Sequence, residues 1–132
     1  MVFLDTSVVI YSVEQPPGWG EKATARLGAL RGGGDLLVVT EIVRMECLVG
    51  PPKAGDTALL ADFTSFFAAP DVVILPITAA VALRAATIRA CSRFQPMDSL
   101  HLAAAVEHGC RTFLTNDARL SSFPDIAIEI LT

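Results

Sequence analysis

The 132-residue sequence lacks any apolar run of the roughly 20 residues that a membrane-spanning helix requires, because charged residues interrupt every candidate. Cysteine is also scarce: Cys47, Cys91 and Cys110 lie far apart and form no CxxC pair. An odd number of separated cysteines argues against a disulfide framework and against a cysteine-based metal site. We therefore expect a protein with no membrane segment and with reduced thiols, located in the cytoplasm.

The sequence also contains fewer basic than acidic residues. Ten lysines and arginines stand against fourteen acidic residues, which gives a net charge of −4. An acidic protein of this kind needs a local cluster of cations to contact nucleic acid. Apolar residues, in contrast, make up 52% of the chain, which is enough for one compact core and too many for a disordered chain. We expect one domain over residues 1–132.

Short apolar runs alternate with segments of helical periodicity. Strands are predicted at residues 2–4, 36–39, 72–75, 112–114 and 126–130, the last at a sheet edge. Helices are predicted between them, the clearest at residues 19–30, 40–49, 58–67, 78–93 and 97–108. Parallel strands need crossover connections, and these are almost always helices. The pattern predicts an α/β fold with three layers, in which helices cover both faces of a central, mainly parallel sheet.

Four acidic residues fall at or near the carboxyl ends of the predicted strands, where open α/β sheets bind their ligands. They are Asp5, Glu46, Asp98 and Asp117. Each also has a structural explanation: the aspartates could cap helices or turns, and Glu46 could be an exposed helical residue. As a set, however, four neighbouring carboxylates repel one another unless divalent cations neutralise them. Oxygen ligands favour Mg²⁺ or Mn²⁺, the ions of phosphodiester hydrolysis, so the set predicts metal-assisted hydrolysis.

Two further residues lie near this set and are weaker candidates. Glu41 belongs to the first turn of a predicted helix, where a carboxylate compensates the helix dipole. His101 lies three residues after Asp98 and shares its helix face. Because His108 is the only other histidine, no histidine-rich ligand set can form, and we interpret His101 as a structural residue.

Four segments of the sequence together resemble the PIN-domain family, especially its VapC-like toxin ribonucleases of type II toxin–antitoxin systems. They are Val2–Ser7 (VFLDTS), Thr40–Glu46 (TEIVRME), Pro96–Ala105 (PMDSLHLAAA) and Thr115–Asp117 (TND). Each segment is short, but the four occur in the family's order and span nearly the whole chain. The resemblance implies a PIN-like fold.

The resemblance also implies a Mg²⁺- or Mn²⁺-dependent endoribonuclease. The family's acidic quartet falls on Asp5, Glu46, Asp98 and Asp117. Asp5 and Asp98 would be the principal metal ligands, with Asp117 as a further one, and Glu46 would complete the metal and water network. Thr6 and Thr115 would assist by hydrogen bonding.

Partners follow from the same resemblance: an RNA substrate, a second copy of the chain in a homodimer, and a cognate antitoxin whose C-terminal segment blocks the active-site groove. Because an acidic protein that binds RNA needs local cations, the candidates for phosphate contacts are Arg44, Lys53, Arg89 and Arg93. Each could equally belong to a solvated helix face. Trp19, in the loop at residues 15–20, could fill the core, contact the second copy or contact the antitoxin.

Two other functions remain open. A PIN-like module could be catalytically silent and bind only its partner, although all four acids are present. A receiver-type phosphoacceptor domain also clusters acids around Mg²⁺, but it needs a lysine on a late strand. Lys22 and Lys53 are the only lysines, and neither is placed there.

Overall fold

The computed structural model describes residues 1–132 and contains one sheet of five strands. The strands are β1 (Val2–Leu4), β2 (Leu37–Thr40), β3 (Val72–Leu75), β4 (Thr112–Thr115) and β5 (Ala127–Ile130). Their order is β3-β2-β1-β4-β5, and every neighbouring pair is parallel. The predicted α/β fold and the edge position of the last strand are confirmed. The sheet is entirely, not mainly, parallel.

Seven helices connect the strands, and a 3-10 turn at Ala118–Ser122 precedes β5. The helices are α1 (Thr6–Glu14), α2 (Trp19–Gly32), α3 (Glu41–Leu48), α4 (Gly50–Ala54), α5 (Thr57–Ala68), α6 (Ala79–Cys91) and α7 (Pro96–Glu107). The predicted helix at residues 40–49 continues as a separate short helix, because Pro51 and Pro52 are tolerated in the first turn of α4. None of the helices has the length and apolar character needed to cross a lipid bilayer.

The direction in which the chain crosses the sheet reverses at its centre. From β1 the chain moves to β2 and β3, and then it returns to the other side of β1 to form β4 and β5. Because parallel crossovers are right-handed, the reversal places α1–α5 on one face of the sheet and α6 and α7 on the other. The crevice between the carboxyl ends of β1 and β4 is therefore the topological switch point, where open sheets of this kind bind ligands.

The core lies on both sides of β1 and β4. The rings of Phe3 and Phe113 occupy paired positions on these strands and stack with centroids 5.0 Å apart. On α7, the run Leu102–Ala105 is fully buried, as expected for a helix that is apolar on all faces. The strands that carry the candidate acids are thus anchored in the best-packed part of the molecule.

Capping residues make the helices begin directly after the strands. Asp5 separates β1 from α1, and its carboxylate accepts a hydrogen bond from the backbone N–H of Thr6. Thr40 ends β2 and caps α3 through the backbone N–H of Val43. These abrupt junctions bring side chains from the first turns of the helices to the carboxyl edge of the sheet.

Candidate active site

Asp5 and Asp117 meet at the switch point through Thr115. The Thr115 hydroxyl donates a hydrogen bond to Asp5 Oδ2 at 2.6 Å and accepts one from the backbone N–H of Asp117 at 3.0 Å. Asp5 Oδ1 accepts the bond from Thr6 N at 2.8 Å. Asp5 is therefore both the cap of α1 and a member of the acidic cluster. Two bonds, one to each oxygen, fix the orientation of its carboxylate.

Glu46 reaches the same region from α3 and is held by two donors on other helices. Its Oε1 accepts hydrogen bonds from the Thr6 hydroxyl at 2.7 Å and from His101 Nε2 at 2.8 Å. Since a carboxylate only accepts, Nε2 carries the proton in this assignment. The bond from His101 lowers the pKa of Glu46, Thr6 adds to the effect, and burial opposes it. Glu46 is thus a partly buried carboxylate with Oε1 occupied and Oε2 free of hydrogen bonds to the protein.

His101 is the residue whose role the sequence underestimated. It is a core residue, as predicted: it is 1% exposed, and its ring centroid lies 5.9 Å from that of Phe3. Its Nε2 nevertheless contacts the candidate catalytic Glu46, while its Nδ1 is buried without a hydrogen-bond partner. The sequence signal was the spacing of three residues from Asp98, which places both side chains on one side of α7.

Asp98 lies in the first turn of α7 and does not cap it. The cap position belongs to Gln95, and Pro96 begins the helix. Burial raises the pKa of Asp98, and the negative charges of Asp5 and Asp117 raise it further, against the opposing effects of His101 and Arg119. Asp98 is therefore within electrostatic range of the other two aspartates.

Asp117 has a cation partner that the sequence analysis missed. Its carboxylate caps the 3-10 turn through Arg119 N at 3.0 Å and also binds the Arg119 guanidinium, with the shortest contact, Nη2 to Oδ2, at 2.5 Å. This ion pair lowers the pKa of Asp117. Arg119 itself is 73% exposed, so it is the most solvated member of the cluster. The sequence signal for this ion pair was the position of Arg119, two residues after Asp117.

The candidate metal ligands are all carboxylate oxygens, which are the ligands that hard divalent cations prefer. Burial is the main cause of the raised pKa of Asp98, and the repulsion from Asp5 and Asp117 that adds to it is one that such a cation would relieve. No three His, Cys, Asp or Glu side chains are, however, already assembled as a metal-binding group. Three of the four carboxylates are bonded to other side chains: Asp5 to Thr115, Glu46 to Thr6 and His101, and Asp117 to Arg119.

The three predicted RNA-contacting arginines have different surroundings. Arg44 pairs with Glu41 at 2.9 Å and lies over the ring of Phe67. Arg89 donates to the carbonyl of Phe94 at 2.8 Å. Arg93 is exposed and lines a cleft together with Asp98. Of the three, only Arg93 borders the acidic cluster.

Trp19 does not fill the core, which removes one of its three predicted roles. It is 37% exposed, its ring stacks on Tyr11 with centroids 5.2 Å apart, and Lys22 lies over it. The Tyr11 hydroxyl in turn accepts a hydrogen bond from Asn116 at 2.6 Å. Trp19 therefore packs on the outside of a tyrosine that braces the loop after β4.

The fold and the site define a class: a parallel α/β protein with an acidic cluster at its switch point. Residues 2–126 match the family model described as PIN domain. The chain belongs to the PIN-domain family, as its four motifs predicted. The search among curated proteins found no match.

Solved structures similar to this one come from toxin–antitoxin systems. VapBC2 from Rickettsia felis, bound to a DNA fragment from its promoter, is 17% identical with a TM-score of 0.83 over 100% of both chains. DNA-bound VapBC from Salmonella typhimurium is 21% identical with a TM-score of 0.80, covering 99% of this chain and 98% of that one. Mycobacterium tuberculosis VapC20, a Sarcin-Ricin loop cleaving toxin, is 16% identical with a TM-score of 0.73, covering 96% and 99%. At these identities the likeness establishes the fold.

Proposed function

We propose that this chain is a Mg²⁺- or Mn²⁺-dependent endoribonuclease and the toxin component of a toxin–antitoxin pair. It would act in the cytoplasm as a single domain spanning residues 1–132. The observation that carries the proposal is that the Thr115 hydroxyl joins Asp5 and Asp117 at the switch point, with Asp98 within electrostatic range of both. Membership of the PIN-domain family supports the same conclusion.

Asp5, Asp98 and Asp117 would hold the metal. When bound, the ion would supply Lewis-acid polarisation of the phosphodiester and stabilise the developing negative charge. Asp5 is already oriented for this task by Thr6 and Thr115. Asp117 would have to exchange some of its contacts with Arg119 for the cation, and the solvent exposure of Arg119 permits this movement.

Glu46 would act on the attacking water. Because Oε1 already accepts two hydrogen bonds, Oε2 is the oxygen that can orient the water and accept its proton. Thr6 and His101 would keep that oxygen directed into the crevice. Arg119, once displaced from Asp117, would become available to a phosphate of the substrate.

The partners are proposed from the family and its structural neighbours. One neighbour is a toxin that cleaves the Sarcin-Ricin loop, and others are toxin–antitoxin complexes. We propose an RNA substrate, an antitoxin that covers the crevice, and a homodimer. Expression of this chain without its antitoxin would then arrest growth, and co-expression of the neighbouring gene would restore it.

A second candidate function has one observation in its favour. The carboxylates are not assembled as a metal-binding group, and Arg119 already neutralises Asp117. A catalytically silent module that binds only its partner would have such a site. It would bind no Mn²⁺ and would cause no growth arrest.

Cleavage of RNA by the purified protein, freed of any partner, separates the two candidates. With Mg²⁺ or Mn²⁺ we expect cleavage of total RNA, and with EDTA none. Asp98→Asn should lower the rate roughly 100-fold or more, because it removes a charge from the metal site. Asp62→Asn, a matched change at an exposed position on α5, should leave the rate unchanged. Full activity of a folded Asp98→Asn variant, or metal-independent cleavage, would contradict the proposal.

A further inference from the structure

Two adjoining clefts lead away from the acidic cluster. The near cleft, of about 440 Å³, is lined by Asp98, Arg93, Gln95 and Arg119 among others. The far cleft, of about 400 Å³, is lined by Ile88, Phe123, Pro124 and Asp125 among others. They share Ser92, Phe94 and Ser122, so they form one groove. Each is within the size range of small-molecule sites, roughly 300–1,000 Å³.

Two cations line the near cleft, and one of them has no carboxylate partner. Six of the eight arginines form ion pairs with carboxylates, whereas Arg89, Arg93 and the two lysines do not. Arg89 lines neither cleft, whereas Arg93 lines the near one beside Asp98. The Arg119 guanidinium lies at the same cleft and is largely exposed. In a protein of net charge −4, this is where an anion next to the acidic cluster would find cations.

The far cleft has the opposite character. Its one arginine, Arg84, is paired with Glu107 at 2.5 Å, and Asp125 adds a negative charge. Its surface is formed largely by apolar groups, including the Phe94 ring, which contacts the Phe123 ring edge to face with centroids 6.2 Å apart. A phosphate would be repelled here, but a flat uncharged ring would find an aromatic partner.

We infer that this groove binds one nucleotide of single-stranded RNA next to the cleaved bond, with its phosphate at Arg93 and Arg119 and its base against Phe94. The inference rests on the proposed function and adds to it the residues that hold the nucleotide beside the cleaved bond. A base can reach the far cleft only if it is unpaired, so the groove selects single-stranded segments over duplex. Ser92–Gln95, the loop between α6 and α7, carries Arg93 and Phe94 and is the segment that sets specificity.

Binding of a fluorescein-labelled oligouridine of about 12 nucleotides, followed by anisotropy in CaCl₂, tests the inference. Arg93→Gln should weaken binding and lower the slope of log K against log salt by about 0.7, as expected for one lost phosphate contact with a single strand. Lys22→Gln, the same change of charge on exposed α2, should leave both unchanged. Phe94→Leu should weaken binding roughly tenfold without changing the slope, and Phe94→Trp should retain affinity.

An abasic oligomer of the same length is the decisive control. If Phe94 stacks on a base, wild type and Phe94→Leu should bind the abasic oligomer equally. An equal penalty on both oligomers, or an Arg93→Gln slope like that of wild type, would overturn the inference. Loss of antitoxin co-purification with unchanged RNA affinity would also overturn it and make the groove a protein-docking surface. If the binding effects appear but no RNA is cleaved with Mn²⁺, the subsite stands and the nuclease proposal fails.

Discussion

Glu46 and Asp117 belong to different elements of the fold and are held in opposite ways. Glu46 is bound by two uncharged donors, Thr6 and His101, on helices that pack into the core. Asp117 is bound by one exposed cation, Arg119, two residues further along the chain. The first arrangement fixes one oxygen and leaves the other free. The second neutralises the carboxylate and has to be exchanged before a metal can be bound.

The difference separates two requirements of a metal-dependent site. A group that directs water needs a fixed geometry, which buried neutral hydrogen bonds provide without cancelling its charge. A group that binds the metal can occupy a surface ion pair before the metal arrives, because surface ion pairs contribute little to stability and exchange readily. We therefore expect changes on the Glu46 side to affect catalysis and changes on the Asp117 side to affect metal affinity.

Among the changes that test this comparison, His101→Leu should have the largest effect. Leucine keeps the pocket filled and removes the buried, unpartnered Nδ1, which offsets the lost bond to Glu46, so the melting temperature should change little. Glu46 loses one of its two donors, and kcat for RNA cleavage should fall roughly 10–100-fold with KM little changed. His101→Gln, which can donate a hydrogen bond, should recover part of the rate. His108→Leu is the matched control, and wild-type kcat in a folded His101→Leu variant would show that His101 is only structural.

A smaller effect is expected from Arg119→Gln, measured by titration of Mn²⁺ without RNA. Removal of the competing guanidinium should strengthen Mn²⁺ binding about two- to fivefold, the range that an exposed ion pair is worth. Arg111→Gln breaks a comparable pair with Asp35 elsewhere in the molecule and removes the same charge. If both variants strengthen Mn²⁺ binding equally, the change in net charge explains the effect. The Arg119 guanidinium then does not compete with the metal for Asp117.

The smallest effect concerns stability and tests whether the cluster is strained. The pKa of Asp98 is raised in the folded protein, so its charged form costs stability at neutral pH, above the folded pKa. The cost disappears once the pH falls below the ordinary value of 3.8, where folded and unfolded chains are both protonated. Asp98→Asn should therefore raise the melting temperature by a few degrees at pH 7 and by nothing at low pH. An unchanged melting temperature at pH 7 would argue against a charge cost.

Much of the site was predictable because parallel strands deliver their ends to one edge. Asp5 follows β1 directly and Asp117 lies two residues after the end of β4, so the alternation of strands and helices was enough to bring them together. Glu46 and Asp98 required more, because each lies within a helix whose rotation about its axis decides where the side chain points. Their place in the cluster was expected from the four motifs.

The hydrogen bonds within the site were harder to predict. His101 has the apolar neighbours of a core residue, and nothing in its local pattern indicates that α3 will place Glu46 against it. Arg119 resembles an ordinary exposed arginine until the 3-10 turn folds its side chain back onto Asp117. The first contact depends on how two helices distant in sequence pack against each other, and the second depends on the geometry of a tight turn. Hydrophobic periodicity carries no information on either.

The position of β1 has a consequence for the order in which the site assembles during synthesis. This strand of three residues precedes the other four in the chain, yet it lies in the middle of the sheet and pairs with Thr112–Leu114. The bond between Thr115 and Asp5 spans 110 positions in the chain. The crevice therefore cannot close until synthesis has passed Asp117, and a translation product that ends earlier leaves its acidic groups unassembled.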